Sequence, residues 1–188
     1  MLYEVILDIG ETPNKCTIAP LAGRSDFKLI RVKGEAALGP LVSPLLLHHQ
    51  GACLTTLTAL SRKTGGIASV DCVWRRLDYL LGRIAGQIPV LAKIPEGFLT
   101  AYPRFSRHTP DPDGGLATIE AIFVASALLG RWDVSLLSEY YFGRKFVALN
   151  RQRFLDLGVS QAADAGELPP LVPRQRTSQQ RRRDRGKY

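Results

Sequence analysis

The sequence predicts an α/β fold: a single sheet with helices on both faces, followed by a basic disordered tail. Three observations carry this. Compact runs rich in Val and Ile, "LYEVILDIG" (2–10) and "GIASVD" (66–71), read as buried strands. Longer segments with apolar residues at helical spacing, "WRRLDYLLGRIAG" (74–86) and "LATIEAIFVASALLG" (116–130), lie between and after such runs, as expected for strands alternating with helices. Beyond Gly158 the composition turns to Ala, Pro, Gln and Arg, which cannot bury a core. With 188 residues, 45% of them hydrophobic, the chain can build one domain, placed at 1–158, and a tail at 159–188.

The elements follow in order. After the first strand, 11–23 is turn-rich, with Pro13, Pro20 and Gly23. "FKLIRV" (27–32) alternates and reads as a second strand. "ALGPLVSPLLL" (37–47) is broken by Pro40 and Pro44, so a strand and a loop are expected rather than a long helix. "TTLTALSRKTG" (55–65) is a candidate helix, and "GIASVD" the third strand. Trp74, Leu77, Leu80, Leu81 and Ile84 share one face of the helix that follows. "PVLAKIP" (89–95) and "FLTAYPRF" (98–105) read as short strands, and 106–115 as a polar turn. The 116–130 helix stops at Gly130, and 134–158 supplies one or two more helices.

Composition narrows the function. The net charge is +8, and the last fifteen residues hold seven of the 25 basic residues against one acid, so this stretch carries most of it. A basic tail suits a polyanion, most often nucleic acid. The three cysteines show no CxxC spacing, which argues against a zinc ribbon or a disulfide framework. No secretory leader or bilayer-length apolar run is apparent, so a reduced, cytoplasmic protein is expected. Walker A, GxGxxG and GxSxG patterns are missing. His48 and His49 lack a Cys, Asp or Glu at ligand spacing and read as a loop pair; no metal is expected.

In open α/β sheets ligands collect at the carboxyl ends of strands. Asp8, Ser43, Asp71 and the 99–102 segment are expected there. "VDCVWRR" (70–76) places a carboxylate, a thiol and a tryptophan at such an end. A helix cap at Asp71 and a core anchor at Trp74 are the plain alternatives.

Four stretches, "NKCT" (14–17), "VDCVW" (70–74), "GGLATIEA" (114–121) and "YYFGRKFVALN" (140–150), in this order and at these distances, resemble the small-subunit ribosomal RNA aminocarboxypropyltransferases. In that family "KKCT"-like, "DCSW"-like, "EA" and "FxWGxxFLxLN"-like segments recur in the same order; here Val73 stands where the family has Ser or Thr. "GGLATIEA" is also similar to the sister DTW-domain family, which acts on transfer RNA. The resemblance implies a knotted, SPOUT-like α/β fold, S-adenosylmethionine (SAM) as cofactor, and transfer of its 3-amino-3-carboxypropyl arm to N3 of a uridine or pseudouridine in small-subunit rRNA. A DTW-like tRNA uridine aminocarboxypropyltransferase, a knotted-fold RNA methyltransferase and a non-catalytic ribosome-associated RNA-binding protein are the rival expectations.

Under that resemblance Asp71 pairs with the ammonium of the arm and Trp74 covers the sulfonium, a favourable cation–aromatic contact. The turn reaching Thr17 offers donors to the arm's carboxylate. Ser43, Val70, Leu91, Leu99, Leu116 and Ala117 are expected to line the pocket. RNA phosphates would meet Lys15, Arg24, Lys28, Arg75, Arg76 and Arg104, with Tyr102 stacking on a splayed base. Glu120 is a candidate general base, but its place in the first turn of its helix, where a carboxylate complements the dipole, favours the structural role. A monomer is expected, without membrane attachment.

Overall fold

The computed structural model describes residues 1–8, 16–57, 65–103, 115–163 and 169. Five strands, β1 (Leu2–Leu7), β2 (Phe27–Arg31), β3 (Leu45–Cys53), β4 (Gly66–Asp71) and β5 (Val90–Lys93), form one sheet in the order β2-β1-β4-β3-β5. Every pairing is parallel. A parallel sheet is covered on both faces, which is why its strands read as nearly continuous apolar runs.

The alternation along β1 and β4 divides two cores. Tyr3, Val5, Leu7 and Ile67 enter the larger one, with α2 (Thr118–Leu128) and α3 (Gly143–Asp156). Ile6 and Ala68 enter the smaller one, which Leu80 of α1 (Leu77–Leu81), Ile84, Leu38 and Leu41 close. Helices therefore lie on both faces, as expected. Nearly every residue of α2 from Ile119 to Ala127 is buried, so it is an interior helix without a polar stripe. The one buried phenol on β1, Tyr3, is tied to it through Ser126 at 2.9 Å, which satisfies two groups that would otherwise be costly to bury.

Gly130 and Gly158, at φ 85° and 81°, end α2 and α3 in the left-handed conformation that glycine adopts without strain. Val159 and Ala162 are buried in the larger core, so packing continues past the expected boundary at 158. Most of the tail lies outside the described residues.

Several elements differ from expectation. Residues 37–44 form no strand; Leu38 makes a single bridge to Ile84, and β3 begins only after Pro44, whose missing N–H cannot join a ladder. His48 and His49 therefore sit on β3, not in a loop. Of the 55–65 helix, the described part is a short 3-10 turn, Leu54–Thr56, with 58–64 outside the described residues. The 74–86 helix is shorter than its periodicity suggests: a 3-10 turn, Trp74–Arg76, leads into five residues of α1. The described part of 98–105 forms no strand, for a reason that bears on the site.

Candidate active site

The carboxyl edge of the sheet gathers the chemistry. Asp71 ends β4 and is 9% exposed. Its Oδ2 accepts a hydrogen bond from the Cys16 thiol at 3.0 Å, and its Oδ1 accepts one from the Thr118 hydroxyl at 2.6 Å. Asp71 is thus no helix cap: its carboxylate joins β4, the 16–19 turn and the start of α2. Burial, and then the negative charge of Asp71, push the Cys16 thiol up to about 12, so it remains protonated and donates. Both donors are neutral. Among the described residues no cation pairs with this nearly buried carboxylate. Two oxygens offer about four lone-pair positions; capacity remains for a positively charged ligand.

Beside Asp71, Asp8 ends the neighbouring strand and pairs with Arg76. Arg76 and Arg83 both lie over the Tyr79 ring. Trp74 is half-buried and meets His49 edge-on at 5.7 Å, so it belongs to neither apolar core.

The 98–102 segment lies against α2 and α3. Asn150 of α3 holds Leu99 as a strand neighbour would: its Oδ1 accepts from Leu99 N at 2.7 Å and its Nδ2 donates to Leu99 O at 2.8 Å. This side-chain clamp replaces the ladder expected for 98–105. With its backbone fixed, the Leu99 side chain stays 55% exposed, an apolar surface held outward. Glu120 fixes the next residues. Its Oε1 accepts from Ala101 N and the Tyr140 hydroxyl at 2.9 and 2.8 Å; its Oε2 accepts from Thr100 and Ala117 N at 2.6 and 2.8 Å. Fully buried and bonded on both oxygens, Glu120 is a structural tie rather than a base.

The expected pocket set is only partly brought together. Asp71, Leu116 and Ala117 converge where α2 begins, Leu116 half-buried and Ala117 buried. Thr17, half-buried, adjoins Cys16. Val70 and Leu91 pack against the smaller core, on the other face from Leu116 and Ala117. Ser43 is apart from these. Its N–H donates to Glu4 at 2.7 Å, and its hydroxyl lies against Gly66, so it stands at the amino edge of the sheet, because β3 starts after it rather than before it.

The expected RNA contacts divide in the same way. Arg75 is exposed and Arg76 half-buried behind Asp71. Arg24, ahead of β2, is tied to Asp26 at 2.9 Å and Asp133 at 3.5 Å. Its hydrogen bond to Asp26 raises the guanidinium and lowers the carboxyl. Lys28 pairs with Glu4 at 2.9 Å. Burial alone would raise Glu4, yet hydrogen bonds from Lys28 and Ser43 outweigh it and hold that carboxyl below its ordinary range. Both cations thus have structural work at the amino edge. Lys15 and Arg104 lie outside the described residues, and Tyr102 packs edge-on against Phe142. Sequence reasoning missed Cys16, Thr118 and Asn150 as site-forming groups, although each stands in one of the four quoted motifs.

No protein-family model matches the chain. A 16S rRNA aminocarboxypropyltransferase of Halobacterium salinarum is 29% identical to it over 170 residues, 84% of this chain and 93% of that protein. Among solved structures, the SAM-dependent rRNA:acp-transferase Tsr3 from Vulcanisaeta distributa shares the fold with a TM-score of 0.57, at 22% identity, over 89% of this chain and 85% of that one. The relative carries the name of the family that the four motifs resemble, and the solved structure shares the fold.

Proposed function

We propose that this protein is an enzyme that uses SAM to transfer a 3-amino-3-carboxypropyl group to a uridine or pseudouridine of small-subunit rRNA. The observation that carries the reading is Asp71: a nearly buried carboxylate at the carboxyl edge of a parallel sheet, whose partners among the described residues are a thiol and a hydroxyl. Removing an anion from water without a cationic partner is costly, and the ammonium of SAM supplies such a partner. The residues present fit the group. Asp71 would hold the ammonium, Trp74 would face the sulfonium, and Leu99 and Leu116 would offer apolar surface to the adenosine.

When bound, SAM supplies a sulfonium whose bond to the arm breaks as a nucleophile attacks the γ-carbon. The protein's own part is orientation. Asp71, fixed by Cys16 and Thr118, selects the arm by its charge, and the wall clamped by Asn150 and Glu120 sets the depth of the pocket. Such positioning supplies a large part of many rate enhancements.

The reading includes a knotted backbone. The β2–β3 connection passes over β1 and β4, and the β4–β5 connection passes over β3. It also includes a monomer working in the cytoplasm, with rRNA as its macromolecular partner. No helix among the described residues is long and apolar enough to cross a membrane, and no group of three metal-ligating side chains occurs among them.

Calorimetric titration with SAM tests the cofactor site. The wild type should bind and Asp71→Ala should not; equal binding by both would refute the role of Asp71. Incubation with a small-subunit rRNA fragment and mass spectrometry then tests the chemistry. A gain of one aminocarboxypropyl group is expected, whereas a gain of one methyl would make the protein a methyltransferase.

A further inference from the structure

β3 pairs regularly with β5 up to Leu47, then shifts register and resumes at Ala52. The residues between, His48–Gly51, form a bulge at the carboxyl edge. Bulges re-aim side chains and are frequent beside active sites. This one depends on its own sequence: a Cβ at Gly51 would lie 2.5 Å from the backbone of Leu91 and Ala92, so glycine alone fits. Inside the bulge the two imidazoles lie against each other, centroids 4.4 Å apart.

The two rings have different environments. His48 is 7% exposed; its Nδ1 accepts from Gln50 N at 3.2 Å, which puts the ring proton on Nε2, and that buried nitrogen has no partner among the described residues. Burial, and then the neighbouring His49, lower its proton affinity, and Asp78 of α1 only partly opposes them. His49 is exposed and set edge-on to Trp74, three residues beyond Asp71, with Arg75 and Arg76 following.

We propose that His49 receives the target nucleobase and acts as the general base of the transfer. This rests on the reading given under Proposed function and goes further by naming the proton acceptor. A uracil ring N–H must lose its proton as its nitrogen is alkylated. The proton passes to the His49 imidazole. The nitrogen keeps the electron pair and forms the bond to the γ-carbon, while the C–S bond breaks toward sulfur, which leaves as a neutral thioether. Imidazole is the side chain suited to accept a proton near neutral pH. The exposed edge of the ring is open to a base stacked at the Trp74 corner, and Arg75 is placed for its phosphate.

Single-turnover transfer across pH 6 to 9 tests this. His49→Gln should lower the rate at neutral pH by about a hundredfold or more, and its rate should keep rising with pH where the wild type levels off. SAM affinity should stay within about twofold, and added imidazole should partly restore His49→Ala. A second readout needs no chemistry. The sequence has two tryptophans, so Trp132→Phe leaves Trp74 alone. Its emission should change when a short uridine-containing single-stranded RNA is added without SAM, and His49→Gln should diminish that change. A His49→Gln enzyme with wild-type rate and pH profile overturns the role of His49 while leaving the transferase reading intact. A wild type that binds no SAM and transfers nothing overturns the transferase reading, and this inference with it.

Discussion

Replacing Glu120 by Gln tests whether this residue is a tie or a base. The side chain keeps its shape, but one carboxylate oxygen becomes an NH2 group. Each oxygen faces one backbone N–H and one hydroxyl: Ala101 N with Tyr140 on Oε1, Ala117 N with Thr100 on Oε2. The hydroxyl can rotate to accept from the new amide; the backbone N–H cannot. Either orientation therefore leaves one buried N–H facing a donor. Losing a hydrogen bond to a charged group and orphaning its donor costs about 2–4 kcal/mol. For a chain of this size, that lowers Tm by roughly 5–15 °C. Thermal unfolding followed by circular dichroism measures it directly, and SAM affinity should fall in parallel as the 98–102 wall loosens. A variant that unfolds within a degree of the wild type, yet has lost transfer, would refute the argument and restore Glu120 as a catalytic group.

Further outcomes follow from the same contacts. Asn150→Ala removes the clamp on Leu99 and its own bond to Phe146 O, and should cost about 1–3 kcal/mol in urea unfolding while weakening SAM binding more than RNA binding. Cys16 has its proton affinity raised to about 12 in the fold, so between the ordinary thiol range and that value the unfolded chain releases a proton that the folded chain retains. Its contribution is fully present below the ordinary thiol range and is lost as pH rises toward 12; Cys16→Ser should flatten this decline in stability above pH 9. Removing residues 174–188 should weaken RNA binding and reduce its dependence on salt, because fewer counterions are released; an unchanged salt slope would exclude the tail from the interface.

The buried strands were legible because parallel pairing hides both faces, leaving uninterrupted apolar runs such as Tyr3–Leu7. The α2 helix was legible for a related reason: good helix formers with Gly130 beyond their end. The strand after Pro44 was misplaced because the apolar residues on either side of Pro40 and Pro44 look alike, and only tertiary packing sends 37–44 across the smaller core. That shift also moved Ser43 to the wrong edge and His48 and His49 into an expected loop. Asp71 and Trp74 were visible as chemistry at a strand end. The work of Asn150 and Glu120 was not: both partner backbone groups more than fifteen residues away, a relation that no local pattern carries. Arg24 and Lys28 looked like RNA contacts because a sequence shows charge without showing its partner.

The clamp on Leu99 has a consequence for how the site moves. Segments without strand or helix usually open locally and exchange their amide hydrogens early. Here the Leu99 and Ala101 amides are held by side chains of α3 and α2, helices that form the larger core. Those amides are bound to exchange with the slow hydrogens of the core, by global rather than local opening. The 98–102 segment is therefore no lid. A substitution that loosens α2 or α3 in the core loosens this segment with it.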